Sequence, residues 1–147
     1  MDVYPDPDEM RVLWQKLAVL APYSLLTTSA NAPLGPARER YPNWLTALAN
    51  EAAEAAGRDG VSIDAGLVAS RLTHMSDQIS PSMLKDQLAG RPLELDAIAG
   101  PILRALGASA APTTAAAVQE ILTLRDARSP RALDGNAHLG KVVAAGW

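Results

Sequence analysis

An all-α domain, a bundle of six or seven helices, is what three features of the chain predict. Apolar residues recur at helical spacing in segment after segment. No segment alternates apolar with polar residues as a half-buried strand does. The apolar content is 48% but aromatics supply only 4% and Phe is absent, so the core must be built from Leu, Ala, Val and Ile. Small side chains of that kind let helix axes approach closely. The 147 residues suit one domain, and a domain of this size buries roughly 68–70% of its unfolded surface.

Residues 1–8 carry Pro5 and Pro7 and read as an extended lead-in or linker remnant, with Asp6 or Asp8 available to cap the first helix. The helical domain is expected over residues 9–127. Over 9–26, Val12, Leu13, Leu17, Leu20, Ala21 and Leu25 keep a helical period, and Pro22 is expected to kink or break the helix. Lys16 is out of place there, because its neighbours three and four positions away are Val12, Leu13, Val19 and Leu20. Such a lysine either snorkels to the rim or is partly buried. Buried lysines make good proton donors and acceptors near neutral pH.

A second helix is predicted over 41–56, opened by Pro42-Asn43 and closed by Gly57, and a third over 63–78, capped by Ser62. His74 in the third has no acidic or histidine partner at helical spacing and reads as a surface or helix-end residue. Ser80 then serves as an N-cap with Pro81 at the first helical position, which puts Ser82 in the first turn of a short helix ended by Gly90. Free amides and the helix dipole favour an anion at such a place, although a routine cap explains the same spacing. Pro92 opens a longer helix over 93–106, in which Gly100 is expected to permit close helix contact and Pro101 to bend the axis. Thr113 or Thr114 caps a last helix to about residue 127, and 128–147, with His138, reads as a tail.

Several function classes are disfavoured. Thirteen Lys and Arg against sixteen Asp and Glu give a net charge of −3, with no basic stripe and no aromatic ladder, so nucleic acid is not an expected partner. The absence of cysteine excludes disulfides, thiol nucleophiles and thiolate zinc sites, and two isolated histidines make no metal constellation. The longest apolar run, 17–26, is interrupted by Pro22 and falls far short of the ~20 residues of a membrane span. No leader is recognised, so a cytoplasmic location is expected.

The segment 80–100 carries Ser82, Met83, Asp86, Gly90, Arg91, Glu94, Asp96 and Gly100 at spacings that resemble the signature of the C-terminal domain of ketopantoate reductase (2-dehydropantoate 2-reductase). Trp14-Gln15-Lys16-Leu17 is similar to the Trp-x-Lys-Leu that opens the same domain, and Ala111-Pro112-Thr113-Thr114 fits the approach to its last helix. The resemblance implies a helical bundle of the 6-phosphogluconate dehydrogenase C-terminal-like kind. It also implies that Lys16 is the general acid that protonates a substrate ketone, that Ser82 helps hold the substrate, and that Glu94 is an active-site carboxylate. Lys16 and Glu94 are then expected to share one apolar hollow. Three substrate-binding amides of the family are replaced here, by Leu20, Leu34 and Ile79. Each loss removes a hydrogen bond worth about 0.5–1.5 kcal/mol, which implies a more apolar ligand than the family's carboxylate substrate, or none.

The resemblance spans about residues 10–125 and none of the family's N-terminal NADPH-binding domain. No strand leads into a Gly-x-Gly-x-x-Gly turn, so this chain alone is expected to bind no cofactor and to transfer no hydride. Three functions remain open. The chain is the substrate-binding and acid/base half of a reductase that meets NADPH on a nucleotide-binding partner; or a non-redox isomerase, cyclase or lyase that reuses the lysine and glutamate; or a dimerising scaffold module, for which a second copy of the chain is the partner.

Overall fold

Seven α-helices and no strand make up residues 6–128, the part described by the computed structural model. The all-α expectation and the helix number both hold. The helices are α1 (Pro7–Ala30), α2 (Leu34–Arg40), α3 (Trp44–Arg58), α4 (Ala65–Thr73), α5 (Ser82–Leu88), α6 (Leu95–Leu106) and α7 (Pro112–Arg128). Beyond Arg128 the expected tail lies outside the described residues, and so does His138.

Helix α1 is the axis of the bundle and touches each of the other six. It starts earlier than the prolines suggested. Asp6 accepts a hydrogen bond from the Asp8 amide at 2.8 Å, and Pro7 takes the first helical position, where its missing amide leaves no bond unmade. The helix also runs unbroken through Pro22, so of the two expected effects the break does not occur. An internal proline costs about 3 kcal/mol, but every residue from Ser24 to Ser29 is buried, so packing on all sides holds the helix together. It stops at Asn31, whose left-handed φ of 55° lets its amide return to the Thr27 and Thr28 carbonyls.

Against α1 lies α3, whose inner side carries Ala49, Ala52, Ala55 and Ala56 alongside Leu45 and Leu48, all buried. This is the close, small-residue packing that the composition predicted. Trp14 is buried between the two helices, and its Nε1–H donates to Asp59 Oδ2 at 2.7 Å, tying α1 to the end of α3.

Helix α2 was not foreseen, because seven residues are too few to display a period. Tertiary contacts hold it: the Leu34 amide donates to the Ile79 carbonyl at 3.0 Å and the Gly35 amide to the Asp77 carbonyl at 2.9 Å. Gly35 is required by that approach, since a Cβ there would stand 2.6 Å from Asp77 Cβ. Arg38 adds an ion pair to Asp77 and a 2.9 Å bond to the Leu72 carbonyl. α4 ends at Thr73 and not near residue 78, and the segment beyond it meets α2 through the Asp77 and Ile79 carbonyls. Its cap is Asp64, which accepts from the Leu67 amide at 3.0 Å, and not Ser62. His74 is exposed at the end of α4.

Helix α5 begins at Ser82 with Pro81 before it, so Ser80 does not cap it; α6 begins at Leu95 with Glu94 before it. Pro101 lies inside α6 without interrupting it. Gly100 makes room for the Asp96–Arg104 ion pair at 3.0 Å, because a Cβ there would meet Arg104 Nη1 at 2.6 Å and Asp96 Oδ1 at 2.8 Å. Among the described residues, no helix is long and apolar enough to cross a membrane.

Candidate functional site

The segment that links α5 to α6 is built as a rigid corner. Gly90, at φ 72°, takes a left-handed conformation that suits glycine, and the Arg91 amide returns to the Asp86 carbonyl at 2.8 Å. Arg91 Nε donates to Asp86 Oδ1 at 2.9 Å, and Arg125 of α7 donates to the Arg91 carbonyl at 3.1 Å. Gln87 pins α5 to the end of α1, donating from Nε2 to the Thr28 carbonyl at 2.8 Å and to Asn31 Oδ1 at 2.9 Å. Asp86, Gly90, Arg91, Asp96 and Gly100 of the signature therefore shape the corner or the helix after it. Ser82 and Glu94 carry no such burden: both are exposed, and neither makes a side-chain bond among the described residues.

Both face a cleft of about 170 Å³ where α1, α5 and α6 meet. Leu20 and Ser24 come from α1, Ser82, Met83 and Asp86 from α5, and Glu94 and Ile98 from the start of α6. The cleft is less apolar than the lost amides implied, with two hydroxyls and two carboxylates on its walls. Ser24 and Asp86 were not anticipated as lining residues. Ser24 is only 1% exposed and falls one helical turn after Leu20, a spacing that marks the shared face in hindsight. A carboxylate docking at Ser82, as expected from the helix start, would meet Asp86 and Glu94.

Lys16 is exposed, the snorkelling alternative of the two, and stands outside this cleft. It lines an adjoining depression of about 290 Å³ with Gln15, Val19, Leu20, Tyr23 and Arg71. The single hollow expected for Lys16 and Glu94 is thus two depressions that meet at Leu20. The reason lies in α1: Lys16 and Leu20 are one turn apart, and only Leu20 reaches both sides.

Leu34 and Ile79 do not line the cleft. Leu34 is fully buried in the core, and Ile79 packs against that core, because the bond between their backbones folds both segments inward. Of the three lost amides, only the one at Leu20 falls on the cleft.

No group of side chains among the described residues forms a metal site. Those residues also contain no strand running into a glycine-rich turn.

A sequence model of the family described as ketopantoate reductase PanE/ApbA C terminal matches residues 8–129. No curated protein and no solved structure gives a significant match. With the family match covering the whole helical bundle, from the first turn of α1 to the end of α7, the chain belongs to the ketopantoate reductase C-terminal domain family.

Proposed function

We propose that this domain is the substrate-binding and acid/base half of a ketopantoate reductase-like oxidoreductase, with NADPH held by a nucleotide-binding partner domain outside the helices described here. The observation that supports this reading is the convergence of Ser82, Glu94 and Leu20 on one cleft, with Lys16 one turn along α1 in the depression that adjoins it at Leu20. A ketone resting on Leu20 has the Lys16 ammonium on one side and the Glu94 carboxylate on the other. Lys16 gives a proton to the carbonyl oxygen as that oxygen gains charge, and Glu94 and Ser82 bind hydroxyl groups of the substrate. NADPH supplies the hydride when its own domain is present.

The test combines the full chain with ketopantoate, NADPH and a separately produced nucleotide-binding domain of a ketopantoate reductase, following NADPH absorbance. Turnover is expected only when both proteins are present. Lys16→Ala and Glu94→Gln should each lower it by about 10²–10⁴-fold. Absence of turnover in every combination sinks the proposal.

A second reading draws on Asp86 and Glu94 together. Two carboxylates and two serines around one small cleft suit proton transfer without redox chemistry, as in an isomerase, cyclase or lyase. In that case turnover proceeds without NADPH and is lost in Glu94→Gln.

A further inference from the structure

The depression beside the cleft carries positive charge from two helices. Val61 and Ser62 stand beside Pro7, Met10 and Arg11, while Arg71 stands beside Lys16 and Tyr23, so α4 runs in the same direction as α1. Packing of Val68 and Leu72, both buried, fixes α4 in that place and with it the position from which Arg71 extends.

Neither cation is neutralised. Arg11, Arg38, Arg58, Arg91 and Arg104 each pair with a carboxylate, whereas Lys16 and Arg71, like Arg40, Lys85 and Arg125, pair with none among the described residues, and of these five only Lys16 and Arg71 line one depression together. Three and four positions from Lys16 lie Val12, Leu13, Val19 and Leu20; at the same spacing from Arg71 lie Leu67, Val68, His74 and Met75. No acid on either helix is within a turn. The remaining polar lining, the Gln15 amide and the Tyr23 hydroxyl, also offers donors. Across Leu20 the sign reverses, because that cleft holds Glu94, unpaired among the described residues, beside Asp86, which is paired with Arg91.

We propose that Arg71 is the carboxylate-binding residue of this site, and that its ligand is a 2-oxo acid lying across Leu20. Arginine presents a planar fork that matches a carboxylate with two parallel hydrogen bonds. In a 2-oxo acid the ketone carbon is bonded to the carboxylate carbon, so a carboxylate held by Arg71 brings the ketone oxygen to Lys16. The tail then crosses Leu20 to the serines and carboxylates of the cleft, which suit hydroxyl groups and repel a second anion. This assignment rests on the reductase-half reading for its substrate class and moves the anion from Ser82 to the opposite side of Leu20.

The test is a titration of the ¹⁵N-labelled full chain with 3-methyl-2-oxobutanoate and, separately, with its uncharged methyl ester. The acid should shift the Arg71 Nε–H signal and the amides of residues 15–23, and the ester should not. Arg71→Gln should weaken binding of the acid by about tenfold or more, while Arg71→Lys retains part of it. Arg71 is exposed, so the substituted proteins should keep the wild-type near-ultraviolet spectrum. Equal affinity in Arg71→Gln, equal binding of acid and ester, shifts centred on residues 82–86, or no binding of the acid each overturn the assignment. Turnover in the two-domain assay with KM unchanged by Arg71→Gln overturns it while the reductase reading stands. Acid binding that depends on Arg71, in a chain that never turns over, does the reverse.

Discussion

Glu51 and Glu94 each stand against the start of a helix, and the fold uses them in opposite ways. Glu51 reaches from α3 to the first turn of α7, where Oε1 accepts from the Thr114 amide and hydroxyl, each at 2.7 Å, and Oε2 accepts from the Thr113 amide at 3.0 Å. It is 7% exposed, and its charge is met by three donors and the positive end of the helix. Glu94 precedes α6 yet bonds none of its amides, is exposed, and faces the cleft. A carboxylate whose bonding capacity is filled from within is part of the scaffold. One left unfilled beside a cleft is available to a ligand.

The contrast makes quantitative claims about stability. Glu51→Ala strands two amides and a buried hydroxyl at the start of α7 and should cost about 2–4 kcal/mol in urea unfolding. A value within about 0.5 kcal/mol of wild type, the range of an ordinary surface change, would break the comparison. Gln87→Leu tests the tie between the two regions, because Gln87 anchors the cleft helix α5 to α1. It should cost about 1–3 kcal/mol, and the signals of residues 82–88 should broaden or shift more than those of α7. Glu94→Gln should leave stability within about 0.5 kcal/mol of wild type while abolishing most turnover in the two-domain assay. A large stability loss in Glu94→Gln would mean that this carboxylate, too, belongs to the scaffold.

Most of the secondary structure was legible because its signals are local. Gly90 marked the corner, and the Leu and Ala periods marked α1, α3 and α6. The errors at Pro7, Ser62 and Ser80 turned on neighbours within a turn, Asp6, Asp64 and Pro81, and the one at residue 78 fell where the chain meets α2. There the Asp77 and Ile79 carbonyls accept from the Gly35 and Leu34 amides. Nothing near Glu51 in the chain indicates its role, because its partners lie 62 and 63 positions away. Arg71 gave no signal either, being one exposed arginine on a short helix until α4 is laid alongside α1.

The amino-acid sequence by itself determined most of the helices and the family and supplied the candidate site residues, since periodicity, caps and spaced motifs act over a turn or two of chain. Which of those side chains meet, that Leu20 divides Lys16 from Glu94, that Leu34 and Ile79 turn into the core, and that Arg71 joins Lys16, was decided only by tertiary packing. The physical reason is range: a helical period fixes a direction around one axis, and only the burial of several axes against one another fixes the distance between residues on different helices.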